Sequence, residues 1–98
     1  MPKGYVIGQI DITDMEKYGD YRAEAPKSIA QYGGKYMVRG GAMETVEGEP
    51  TLPRTVVLEF PSIEQAKKWY HSEEYQSVVG IRHAASVGTM FLVEGFDE

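Results

Sequence analysis

The sequence predicts an α+β fold of element order β-α-β-β-α-β, in a single domain spanning residues 1–98. Three observations lead there. Two segments, Tyr5–Ile12 and Arg54–Phe60, alternate apolar and polar residues at the two-residue period of a strand with one buried face. Two others, around Tyr18–Tyr32 and Ile63–Ala85, repeat apolar residues every three or four positions, as an amphipathic helix does. Glycine and proline clusters separate these segments.

In the first strand Val6, Gly8, Ile10 and Ile12 share one face, and Tyr5, Ile7, Gln9 and Asp11 the other. Asp14 caps the first helix, whose stripe is Tyr18, Tyr21, Ala25, Ile29 and Tyr32, with Arg22 beside it. Pro26 falls inside that stripe, where a missing amide hydrogen predicts a kink or restart. Gly33-Gly34 ends the helix, one glycine taking a left-handed cap. A second strand is expected over Lys35–Val46, interrupted at Gly40-Gly41 by a bulge, and Gly48-Glu49-Pro50 marks a hairpin loop. The third strand, Arg54–Phe60, stops at Pro61. Ser62 and Gln65 then form a capping box, with Ile63, Ala66, Trp69 and Tyr70 on one helix face. Ser72 followed by Glu73 and Glu74 reads as a second N-cap. Tyr75, Val78, Val79, Arg82 and Ala85 continue the helix, Gly88 stops it, and Thr89–Glu94 is the last strand. This is the ferredoxin-like plan: a four-stranded antiparallel sheet with two helices on one face.

Composition narrows function by exclusion. The chain has 98 residues and a net charge of −5, with its basic residues scattered, so no patch exists to neutralise a nucleic-acid backbone. No apolar run approaches the roughly 20 residues of a membrane span. The start of the chain alternates as a strand and lacks the pattern of a signal peptide. There is no Cys, which removes disulfides and thiol chemistry and fits a cytoplasmic location. His71 and His83 are the two histidines. They are twelve positions apart, with no His-x-His or His-x-x-x-Glu grouping, so neither a metal nor a cofactor is expected. No phosphate-binding glycine loop or nucleophile elbow is present.

Strand parity assigns Val56, Leu58 and Phe60 to the helices. It leaves Met37, Val57, Met90 and Leu92 on the second sheet face, together with Arg39 and Glu59. That face is too apolar for open water and too charged for a plain core. Arg39 and Glu59 are therefore the candidate catalytic pair, an orienting cation beside a proton-transferring carboxylate. The alternative is an ion pair at a subunit seam. Tyr21, Trp69, Tyr70, Tyr75, Arg82 and His83 are candidate ligand-binding residues. Aromatic stripes on helices are as readily core, and Arg82 could equally be a solvated charge at a helix end.

The segments Tyr32-Gly33-Gly34, Val38-Arg39-Gly40-Gly41, Arg54, Val56-Val57, Phe60-Pro61-Ser62 and Trp69-Tyr70, followed by Ser72 and Tyr75, resemble the family of small domains of unknown function numbered 1330, of the dimeric α+β barrel superfamily. Glu73 departs from the pattern, which often has Pro there. The resemblance implies a ferredoxin-like protomer whose sheets pack face to face in a homodimer. Relatives include cofactor-free monooxygenases, haem-degrading enzymes, muconolactone isomerase-like enzymes and binding modules. Two functions stand open at this level. One is a cofactor-independent enzyme acting on a small organic or aromatic acid in a pocket at the sheet face. The other is a non-catalytic ligand-binding or assembly module.

Overall fold

The computed structural model describes residues 2–96. Strand β1 is Gly4–Ile12, helix α1 Met15–Gln31, β2 Lys35–Arg39, β3 Arg54–Phe60, α2 Ile63–Tyr70, α3 Glu73–Ala85 and β4 Ser86–Glu94. The strands form one antiparallel sheet in the order β2-β3-β1-β4, and the helices cover one face of it. The fold is ferredoxin-like, with the second helical segment divided in two at Ser72.

Each helix start is capped by a side-chain oxygen. Asp14 Oδ1 accepts from the Lys17 amide (3.1 Å), and Ser62 Oγ from the Gln65 amide (3.1 Å). The reciprocal half of the Ser62–Gln65 capping box is missing. Gln65 instead donates its side-chain amide to the Tyr32 carbonyl (2.9 Å), fastening α2 to the end of α1. Ser72 Oγ donates to the Trp69 carbonyl (2.6 Å) and accepts from the Tyr75 amide (3.1 Å), so one hydroxyl closes α2 and opens α3. Gly33, at φ +82°, turns the chain out of α1.

Three expectations are corrected. Helix α1 runs through Pro26 without a restart. Strand β2 ends at Arg39 rather than Val46, and its bulge falls between Tyr36 and Val38 instead of at the glycine pair. Helix α3 ends at Ala85, three residues before Gly88. Gly88 lies inside β4 at φ +156°, where a side chain would run into the backbone of Gln9.

The core lies between the sheet and the helices. Trp69, Tyr75, Phe60, Ile10 and Val6 are its largest fully buried members, joined by Leu58, Tyr18 and Ile29. Burying a side chain of this size contributes about 1.5–3 kcal/mol. Trp69 packs on Phe60 and Tyr75 and donates its indole N–H to Ser28 Oγ (3.0 Å), so its polar edge is satisfied.

Candidate ligand-binding site

The bulge in β2 decides where the site is. Tyr36 sits opposite Leu58, Val38 opposite Val57, and Arg39 opposite Val56. The extra residue, Met37, reverses side-chain parity for everything after it. Arg39 therefore points toward the helices, away from the face that holds Glu59, and the expected Arg39–Glu59 pair does not form. Met90 and Leu92 also pack against the core, while Val87, Phe91, Val93 and Val38 lie exposed on the open sheet face.

Glu59 has partners of its own on the open face. The Tyr5 hydroxyl donates to it (3.2 Å), and Lys35 approaches within 3.5 Å. The carboxylate pushes the Tyr5 phenol above its ordinary range, first through their hydrogen bond and then through burial, so Tyr5 stays protonated at neutral pH.

Arg39 is held by a different device. Pro26 has no amide hydrogen, so the Arg22 carbonyl one turn earlier loses its helical donor. Arg39 Nη2 donates to that carbonyl (3.0 Å), and its guanidinium lies 4.4 Å from the Tyr36 ring centre. Beside it Arg54, on the same parity as Val56 and Leu58, projects over Tyr18, 5.6 Å from that ring centre. The Arg54 Nε is buried with no partner. Gly40, at φ +71°, makes room: a Cβ there would fall on the Arg54 guanidinium.

Arg22, Arg39 and Arg54 line a small cavity of about 20 Å³ with Tyr18, Tyr21 and Tyr36, floored by Gly8 and Met90. A space of this size holds about one water. Next to it, where α3 passes into β4, lies a larger open recess of about 420 Å³ lined by Tyr70, Arg82, His83, Ser86 and Met90. Arg82 is buried, its Nε has no partner, and its Nη2 lies 3.3 Å from His83 Nε2. The Tyr21 and Tyr75 hydroxyls are hydrogen-bonded at 2.7 Å. Burial pushes both phenols above the ordinary tyrosine value, Tyr21 far above it, so they are neutral donors and not phenolate bases at physiological pH.

The four arginines of the chain, Arg22, Arg39, Arg54 and Arg82, thus all line these two recesses. Among the described residues none has a carboxylate partner. Guanidinium groups without a carboxylate partner keep their fork of N–H donors free for an anion. Among the described residues no three His, Asp or Glu side chains converge as metal ligands.

Of the residues expected from sequence, Arg39 and Tyr21 meet at the small cavity, and Tyr70, Arg82 and His83 at the larger recess. Trp69 and Tyr75 are fully buried core residues lining neither recess, and Glu59 is on the opposite side of the sheet. Arg54, Arg22, Tyr18, Tyr36 and Met90 went unnoticed as site residues. Arg54 could have been found from its parity with Val56, and Arg22 and Tyr18 from their nearness to the Tyr21 stripe.

The chain belongs to the family described as Domain of unknown function (DUF1330), matched over residues 3–96. Among curated proteins none is similar to it in sequence. The fold matches a protein of unknown function from Rhodopseudomonas palustris (TM-score 0.78, 15% identity, covering 99% of this chain and 85% of that one). It also matches SnoaB, a cofactor-independent oxygenase from Streptomyces nogalater (TM-score 0.66, 8% identity, covering 100% and 97%). A conserved protein from Methanosarcina mazei Go1 is similar at TM-score 0.57 and 10% identity, covering 98% and 95%. At these identities the likeness establishes the fold of the protomer alone.

Proposed function

We propose that this protein binds a small organic acid, aromatic in body, on the helix side of its sheet and acts on it without a bound cofactor. One observation carries the reading: all four arginines line adjacent recesses floored by apolar and phenolic side chains, with no carboxylate partner among the described residues. Guanidinium groups set into the protein, as Arg54 and Arg82 are while Arg22 and Arg39 stand exposed at the rim, stabilise a carboxylate and favour the deprotonated form of an acidic carbon or phenol beside it. Tyrosine rings offer faces for a planar ligand. The fold of a cofactor-independent oxygenase supports this class of reaction at the level of architecture alone.

A non-catalytic binding role is the second reading. It is favoured by the lining of the smaller cavity, which contains neither carboxylate nor imidazole to move a proton. Thermal shifts with aromatic acids such as salicylate test binding under both. A ligand at a hundredfold excess over its Kd adds about 2.7 kcal/mol, a rise of roughly 10–20 °C for a domain of this size. Arg54→Met should abolish the shift. Failure of every acid to raise the melting temperature, or an unchanged shift in Arg54→Met, overturns the binding. Aerobic incubation followed by mass spectrometry then separates turnover from binding.

We further propose that the open sheet face packs on a second copy. Val87, Phe91 and Val93 are 59, 50 and 41% exposed there, and apolar side chains grouped on one sheet face mark an interface. Light scattering that shows a monomer at micromolar concentration refutes it.

A further inference from the structure

Taking the acid-binding role as given, we infer that the two recesses are halves of one divided site, that Met90 is the partition, and that the ligand is an elongated organic acid with an anionic group at each end. The sheet register places the parts. Arg39 lies opposite Val56, Val56 opposite Gly8, and Gly8 opposite Met90, forming one row on the helix side. In the next row Arg54 and Gly88 flank Ile10 from either side. Strands β3 and β4 are two sheet spacings apart, about 10 Å. The cations of the small cavity therefore approach from one side of β1, and the recess of Arg82 and His83 opens on the other.

Gly8 contributes no side chain to its row, and the trough it leaves is filled by Met90. A Cβ built on Gly8 would stand 3.3 Å from the Met90 methyl. Met90 lines both recesses. With its thioether in place the cavity beside Arg54 admits one water, far below the ~300 Å³ of a ligand pocket. Methionine is unbranched and turns readily about its side-chain bonds, so the partition is of the kind that a ligand displaces. Both ends are cationic, and each holds a buried guanidinium Nε without a partner, on Arg54 and on Arg82. An acid with one carboxylate satisfies one end and leaves the other stranded. A diacid satisfies both.

Calorimetric titration of the intact chain with matched pairs, benzoate against terephthalate and hexanoate against adipate, tests this. The expected result is at least tenfold tighter binding of a diacid than of its monoacid. Arg82→Met should bring the diacid down to the monoacid's affinity. Met90→Ala should bind the diacid at least as tightly as the unaltered chain, whereas a methionine serving only as packing would weaken both ligands when removed. If Arg82→Met does not fold, Arg82→Lys keeps the charge but loses the fork and should fall between. Binding of monoacids with no gain for diacids overturns the divided site and leaves the acid-binding role standing. So does a diacid affinity insensitive to both Arg82 and Met90. Absence of binding by any of the four acids overturns both.

Discussion

Removing either hydroxyl of the Tyr21–Tyr75 pair leaves the other without its partner, and the two losses are unequal. The oxygens are 2.7 Å apart, Tyr75 is fully buried, and Tyr21 is 8% exposed beside the cavity that holds about one water. Tyr21→Phe leaves the Tyr75 hydroxyl beside the buried Arg82 guanidinium, which still supports it, and should cost about 1 kcal/mol. Tyr75→Phe takes a polar neighbour from both Tyr21 and the buried Arg82 guanidinium, and should cost about 2–3 kcal/mol, the upper part of the range for buried unsatisfied groups. The double change removes both polar groups and should recover part of the loss, giving a coupling of about 1–2 kcal/mol. Urea melts of the four proteins measure this, with a parallel drop in melting temperature of roughly 4–8 °C per kcal/mol. Strictly additive single changes, or a Tyr21→Phe costlier than Tyr75→Phe, would show that the pair is not arranged as described.

Four further outcomes follow from the same geometry. Leu58→Ala should destabilise by about 2–5 kcal/mol in urea melts, since Leu58 is 2% exposed under the helices. A loss under about 0.5 kcal/mol would reverse the assignment of sheet faces. Gly40→Ala should cost at least 1–2 kcal/mol for its left-handed backbone, and it should also weaken aromatic-acid binding, because the new methyl displaces Arg54. A double-mutant cycle of Arg39→Met and Glu59→Gln should close within about 0.5 kcal/mol, as for independent sites; a larger coupling contradicts the bulge. Pro26→Ala gives the Arg22 carbonyl a donor within the helix, so Arg39→Ala should cost about 1 kcal/mol less once Pro26→Ala is present.

Sequence and structure agree where one period governs a whole segment. Alternation in β1 and β3 placed Val6, Ile10, Val56, Leu58 and Phe60 correctly, and the hydroxyl caps at Ser62 and Ser72 fixed the helix starts. They part company where a single extra residue changes the count. The bulge at Met37 needs no glycine and leaves no mark in the alternation, yet it carries Arg39 from one face of the sheet to the other. A proline in a helix reads as a break, but here its cost is met by an arginine 13 positions further on (Pro26 to Arg39), which no local pattern reveals. Trp69 and Tyr75 were ambiguous because an aromatic stripe looks the same whether it lines a core or a pocket. The grouping of the arginines was not visible either, since four residues scattered along the chain meet only through the sheet register.

Drawing every arginine into one region has a kinetic price. Six lysines face fifteen acidic residues over the rest of the molecule, so an anion far from the site meets a surface of its own sign and feels the guanidinium groups only at close range. Such a ligand is repelled before it is attracted. Its association should therefore be slow in dilute buffer and should quicken as added salt shortens the reach of the outer charges to about 10 Å at 0.1 M. That dependence on salt is the opposite of the one expected for a ligand steered in from a distance, and it would favour capture of acids where the ionic strength is already high.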